Sequence, residues 1–322
     1  MVNILMLSKW HVHAEEYANF VNAQPDANVV AVWDEDPVRG AAWAKELDAE
    51  FEPDFRTAVF RADVNAVIVD GPTTDHRRMM VTAAHAGKHI FTEKALATNM
   101  ADALAIGDVI AKIGVKFCIS YPHLMNPLYT LCKQLIDDGE LGRVHYMRFR
   151  NAHNGASAGW LPPHWYDMEA AGGGAMMDLG CHPMYVAPYL LGKPARVASI
   201  FNTTVAPAGD DNAVSVVEFE NKAIAVLETS FISPYDANCF ELLGTEGAVT
   251  SIGGDIKIRT RSQNEWHTPA TLPPKGPYPL RMFLDGILHN TPIRYDIEMA
   301  YALTQMLENA YKSHNTGTIA IV

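Results

Sequence analysis

Over the first 120 residues, short apolar runs alternate with helix-like segments, and this alternation restricts the fold more than any other feature. Residues 4–7, 29–33, 66–69, 89–92 and 116–120 are the apolar runs. Between them lie helix-like stretches at 13–21, 37–47, 74–86 and 99–113. Pro37 suits a first helical turn, and Gly87 and Gly114 suit helix ends. Strands separated by helices of ten or so residues imply βαβ units and a parallel sheet covered on both faces. Such strands read as continuous apolar runs because neither face meets water.

The pattern changes after Tyr121. A helix is expected at 122–138, an alternating strand at 144–150, and a Gly-, Trp- and His-rich stretch at 151–174. A second helix is expected at 176–191. Six strand-like runs then follow in series, at 195–201, 214–219, 223–231, 240–243, 248–252 and 256–259. Serial strands joined by turns argue for a large, mostly antiparallel sheet. Helices at 280–289 and 297–313 close the chain. The expected class is α/β, with a doubly wound parallel sheet at 1–121 and an α+β domain with an open, mostly antiparallel sheet at 122–322. The helix at 297–313 is the one element expected to pack back on the first domain.

With 322 residues, the chain has the length of about two domains. It is 48% hydrophobic and 19% charged, with apolar residues spread throughout, which excludes a disordered or fibrous chain. Lys and Arg number 25 against 37 Asp and Glu, a formal net charge of −12. This balance argues against nucleic acid and anionic membrane surfaces as partners. No run reaches membrane-span length and no basic segment precedes the apolar start, so a cytoplasmic location is expected. Cys118, Cys132, Cys181 and Cys239 are far apart and read as buried thiols.

Open parallel sheets bind ligands beyond the carboxyl ends of their strands. This focuses attention on residues 8–13, Asp34 and residues 71–76. Asp34 stands where an acid meets adenosine ribose hydroxyls, and Glu35 and Asp36 beside it disfavour a 2′-phosphate. It equally suits a helix cap. The first turn, Ser8-Lys9-Trp10-His11-Val12-His13, lacks the glycines that let backbone approach a pyrophosphate. Ser8, Lys9 or helix-terminal amides remain to hold phosphate there. His11 and His13 also form a metal-ligand pattern after a first strand. Lys94 reads as either a surface cation or a site cation. Gly172-Gly173-Gly174 precedes Asp178 and His182, which share one face if the segment is helical. A histidine near a carboxylate suits acid–base work; a buried polar pair is the alternative.

These pieces occur together in one order, and in that order the chain resembles the glucose–fructose oxidoreductase / inositol dehydrogenase (Gfo/Idh/MocA) family. The matching stretches are Val30-Ala31-Val32-Trp33-Asp34, Pro72-Thr73-Thr74-Asp75-His76 after 66–69, and Ala86-Gly87-Lys88-His89-Ile90-Phe91-Thr92-Glu93-Lys94. They continue through Asp138-Gly139-Glu140-Leu141-Gly142, the Gly172-Gly173-Gly174…Asp178…His182 motif, and Leu243-Gly244-Thr245-Glu246-Gly247.

The resemblance implies an N-terminal Rossmann domain. It also implies a nicotinamide-dependent dehydrogenase acting on a ring carbinol of a sugar, sugar derivative or inositol. NAD is the implied cofactor, with NADP less favoured. By carry-over, Lys94 polarises the reacting oxygen, His182 takes the hydroxyl proton, and Asp178 orients substrate or His182. Ser8, Lys9, Trp10, His11, Asp34, Pro72, Thr73, His76, Glu93 and Lys94 are the implied cofactor residues. His123, Asn126, Arg150, His153, Trp160, His164 and Trp165 are the candidate substrate residues, in a cleft shared by the domains. A homodimer or homotetramer is implied, and no metal is expected. The family's Glu-Lys-Pro is here Glu93-Lys94-Ala95. Two other readings stay open: a non-catalytic ligand-sensing regulator on the same fold, and a metal-dependent hydrolase using His11 and His13.

Overall fold

A computed structural model describes every residue of the chain but Asp236. The chain forms two compact units, Met1–Ser120 with Pro277–Thr304 and Tyr121–Gly276 with Gln305–Val322. A single cut after residue 121 would place 277–304 with the second half. Here they belong to the first unit, because the helix Pro279–His289 packs on strands of the first sheet.

In the first unit, β1 (Val2–Leu7), α1 (Ala14–Asn22), β2 (Ala27–Trp33), α2 (Pro37–Glu46), β3 (Glu50–Phe51), α3 (Phe55–Val59), β4 (Ala66–Val69), α4 (His76–His85), β5 (His89–Thr92), α5 (Met100–Ile113) and β6 (Phe117–Ile119) follow in turn. The strands form one sheet in the order β3-β2-β1-β4-β5-β6, every pair parallel. Strand order therefore reverses between β1 and β4, the switch point where such sheets take ligands. Ile4 to Leu7 are fully buried, as are Ala66 to Val69, which explains their unbroken apolar sequence. α2 starts where Asp36 accepts the amides of Val38 (2.9 Å) and Arg39 (3.2 Å), with Pro37 in the first turn. Asp36, and not Asp34, is thus the cap.

In the second unit come α6 (Pro127–Asp137), β7 (Val144–Ala152), α7 (Met168–Ala171), α8 (Ala175–Asp178), α9 (Cys181–Leu191), β8 (Pro194–Asn202), β9 (Asn212–Phe219), β10 (Ile224–Ser230), β11 (Cys239–Gly244), β12 (Ala248–Ile252) and β13 (Asp255–Arg259). Then follow α10 (Pro279–His289, first unit), α11 (Ile297–Thr316) and β14 (Ala320–Ile321). The eight strands order as β13-β12-β11-β7-β10-β9-β8-β14. Among the described residues of this sheet, only β7 and β10 pair in parallel.

The helix expected at 176–191 is two pieces, α8 and α9, interrupted at Leu179 and Gly180. Pro183, without an N–H, stands in the first turn of the second piece, where none is needed. The glycines before it serve chain packing. A Cβ on Gly174 would lie 2.2 Å from the Asp210 carbonyl oxygen. The Asp210 carboxylate accepts the amides of Gly174 (3.0 Å) and Met176 (2.7 Å) and the Tyr311 hydroxyl (2.8 Å). All four cysteines are buried thiols that form no disulfide. No helix among the described residues is long and apolar enough to cross a membrane.

Candidate active site

The carboxyl edge of the first sheet gathers Ser8 to His13 after β1, Asp34 after β2, Asp70 after β4, Glu93 and Lys94 after β5, and Ser120 after β6. Glu93, 1% exposed, is its centre. It accepts from the Tyr17 hydroxyl and from His13 Nδ1 (3.0 Å), and from the Lys94 amide (3.0 Å). His11 Nε2 and Lys94 Nζ each stand 3.8 Å from its Oε2. Burial pushes this carboxyl up, but His11, His13 and Lys94 outweigh it and hold Glu93 well below the usual carboxylate range. Burial, then Glu93, pushes the Tyr17 phenol well up. Lys94 is itself only 4% exposed, and the Lys94–Ala95 peptide bond is cis. Lys94 is thus a buried cation held against a carboxylate rather than a surface lysine.

His11, His13 and Glu93 offer ligand atoms that all lie within 4.8 Å of one another, a spacing that suits a metal ion. The polarity of His11 argues otherwise. Its Nδ1 accepts the His13 amide at 3.2 Å, so the neutral ring carries its proton on Nε2, the atom that faces Glu93. A metal ligand must present a bare nitrogen. His11 and His13 thus turn ring N–H groups toward one carboxylate, an arrangement that argues against the hydrolase reading.

Asp70 was not foreseen. Both its carboxylate oxygens are buried without a hydrogen-bond partner. Burial, and then the charge of Glu93, pushes its carboxyl well above the usual range. The only sequence signal was an acid directly after a buried strand.

The frame of this edge fits a dinucleotide. Strand order reverses at β1 and β4, β2 ends at Asp34, and Ser8 adopts φ +79°, the left-handed conformation that favours glycine. The phosphate turn itself is closed on its own chain. Its amides donate from Ser8 to the Trp33 carbonyl, Lys9 to Asp34, Trp10 to Ser8 Oγ, His11 to the Asp70 carbonyl and His13 to His11. Val12 is left as the turn's unpartnered amide among the described residues. Trp10 is buried, and the Lys9 ammonium reaches Glu46 (3.3 Å) and the Trp43 ring.

Asp34 also differs from expectation. Its Oδ1 accepts from the Asp36 amide (2.8 Å) and Arg39 Nη2 (2.7 Å); its Oδ2 accepts from the Lys9 amide (2.8 Å) and Arg39 Nε (3.0 Å). All four acceptor sites of the carboxylate are taken, so none is left for ribose hydroxyls. His76 is likewise a structural side chain, with its ring nitrogens 3.2 Å from the Leu96 carbonyl and 3.1 Å from that of Gly71. Of the other two candidates in this segment, Thr73 is buried and Pro72 half-buried.

In the second unit, His182 is 5% exposed on the first turn of α9. Its Nδ1 lies 2.8 Å from the Tyr185 hydroxyl, whose oxygen also accepts the His123 amide at 3.1 Å. A phenol that accepts Nδ1–H leaves Nε2 bare and supports the imidazolium once a proton arrives. Tyr185 was not foreseen, although it lies one helical turn from His182. The rings of His123 and His182 stack with centroids 4.2 Å apart. Asp178 ends α8, so it and His182 do not share one continuous helix.

The substrate candidates divide. His123 and Asn126 line a cavity of about 550 Å³. Arg150 points to the opposite face of β7. It donates to the Ala237 carbonyl (3.1 Å) and approaches Glu228 (3.9 Å), because strand neighbours alternate sides and Phe149 and Asn151 take the cavity side. Trp165 is 6% exposed and belongs to the core. Trp160 is exposed and donates to Asn154 (3.2 Å). His153 stacks on Phe231, and His164 is half-buried.

Comparison with known proteins supplies the context. A family model described as an oxidoreductase family with an NAD-binding Rossmann fold matches residues 11–121. A model described as a GFO/IDH/MocA C-terminal domain matches residues 129–250. The chain is 31% identical over 241 residues to scyllo-inositol 2-dehydrogenase (NAD(+)) of Bacillus subtilis, covering 72% of this chain and 68% of that one. It is 28% identical over 261 residues to 2,7-anhydro-N-acetylneuraminate hydratase of Mediterraneibacter gnavus, covering 77% and 68%. The solved structure of levoglucosan dehydrogenase with NADH and levoglucosan shares the fold at TM-score 0.85 and 19% identity, over 100% of this chain and 99% of that one. The chain belongs to the Gfo/Idh/MocA oxidoreductases, enzymes whose cofactor is NAD, bound by a Rossmann fold.

Proposed function

We propose that the protein transfers a hydride between NAD and a ring carbinol of a sugar, sugar derivative or inositol. The observation that carries this reading is His182. It is a buried imidazole whose Nδ1 meets a phenol, an arrangement suited to proton exchange at Nε2. NAD supplies the hydride acceptor, while the protein supplies position and electrostatics. Lys94 polarises the reacting oxygen, Glu93 holds Lys94 in place, and Asp178 orients substrate or His182. The names of the relatives support a ring polyol, since scyllo-inositol and levoglucosan are both cyclic. Val12, Lys9 and His13 are the groups of the first turn that would meet phosphate. Glu35 and Asp34 both neutralise Arg39, which favours NAD over NADP.

Ile200, Val214, Val216 and Ile224 are exposed on neighbouring strands β8, β9 and β10. This apolar face fits a homo-oligomer in a cytoplasmic setting. The experiment is turnover of a sugar and inositol panel with NAD, beside calorimetric NAD binding. Reduction of NAD by a member supports the reading. NAD binding with no turnover of any member counts against it. That result would instead favour the ligand-sensing regulator, the second reading, which the self-closed phosphate turn supports.

A further inference from the structure

The second unit holds a cavity that His182 does not line. About 550 Å³ in volume, it lies within the range of roughly 300–1,000 Å³ typical of sites for drug-sized ligands. His123 is shared: one part of its ring stacks on His182, and it also lines the cavity. The cavity therefore begins where the acid–base site ends.

Its lining has a distinct chemistry. Tyr129 and Phe149, with ring centroids 5.5 Å apart, give apolar faces. Three asparagines give polar groups, and each is fixed at one end by the chain itself. Asn126 Oδ1 accepts the Leu128 amide (3.0 Å), and Asn238 Oδ1 accepts the Ala152 amide (3.1 Å). Asn151 Nδ2 donates to the Leu179 carbonyl (3.1 Å). The other end of each amide has no partner among the described residues, leaving two NH₂ groups and one carbonyl on pre-oriented side chains. Aromatic faces for C–H groups, with fixed amide donors and acceptors for hydroxyls, suit a neutral, hydroxyl-rich ring. No charged side chain lines the cavity among the described residues, which disfavours a phosphorylated or acidic one.

We propose that this cavity is a second-ring subsite and that the substrate is a glycoside, a second sugar ring joined to the one that reacts. The inference rests on the proposed sugar chemistry at His182. It is tested with the full-length protein and NAD, comparing free monosaccharides and inositols with their disaccharide and glucoside counterparts, by kcat/KM and by calorimetric binding. Asn238→Asp keeps the acceptor for the Ala152 amide and removes that side chain's free NH₂ group. Ser251→Trp fills the cavity from β12.

Glycosides are expected to be preferred by about tenfold or more, the scale of one or two added hydrogen bonds. Either variant is expected to remove that preference while leaving the free monosaccharides unchanged. Equal values for glycosides and free sugars, or variants that weaken both alike, would overturn the subsite and leave the oxidoreductase reading intact. Glycoside binding that the variants weaken, with no turnover of any sugar, would uphold the subsite and overturn the chemistry at His182.

Discussion

The carboxyl edge of the first sheet and the cavity side of the second are both rich in polar side chains, but they dispose of them differently. At the first, nearly every donor is engaged inside the protein: five turn amides, Arg39, Tyr17 and both histidines serve Asp34, Glu93, nearby backbone or the turn's own side chains. At the second, Asn126, Asn151 and Asn238 are each fixed at one end and open at the other. A self-satisfied edge is rigid and adds little to recognition. A half-satisfied wall is ready for a ligand, because its orientation is already set. Under the proposed function, cofactor positioning falls to the frame of the first unit and substrate discrimination to the cavity of the second.

The largest effect that sharpens this contrast is on turnover. Lys94→Ala and His182→Ala should each lower kcat by about 10²–10⁴-fold with an unchanged circular dichroism spectrum. A variant with full activity removes that residue from the mechanism. Next, Gly174→Ala should destabilise by about 1–3 kcal/mol in denaturant unfolding, since the added methyl meets the Asp210 backbone. An unchanged midpoint would mean that the glycines serve a ligand and not packing. Tyr185→Phe should lower kcat roughly tenfold with little change in KM, the loss expected when a hydrogen bond that positions a base is removed.

A smaller effect lies at Asp70. Its carboxyl is raised in the folded protein, so the unfolded chain ionises first as pH rises above about 3.9. Stability from this group is full below that pH and is lost as pH climbs toward the folded value. Asp70→Asn should therefore raise the melting temperature, and more at pH 8 than at pH 5. The opposite trend would show that Asp70 is ionised and paired. Smallest of all is the response to metal removal: chelation should leave activity unchanged, because His11 presents a protonated nitrogen to Glu93.

Much of the fold was legible from local pattern. Buried strands such as Ile4 to Leu7 and helices with a plain start such as α2 stand out because burial and capping act over a few residues. The short β3, α3 and β14 were not legible, since two to five residues carry no period. Lys94, His182 and the glycine run were singled out by their order along the chain. The engagement of Asp34 by Arg39 was not, nor the phenol of Tyr185 beside His182. These depend on which lone pairs remain after folding, and sequence spacing does not report that. Arg150 was misplaced by one strand position, which moves a side chain to the other face of a sheet.

In the proposed function the protein moves a hydride from a ring carbinol to NAD. The most direct measurement incubates the protein and NAD with cyclic polyols and glycosides deuterated at their ring carbinols, followed by mass spectrometry of the reduced cofactor. The account predicts NADH carrying one deuterium from a single ring position, and its loss in His182→Ala. Unlabelled cofactor from every substrate, in a protein that binds NAD, would contradict it.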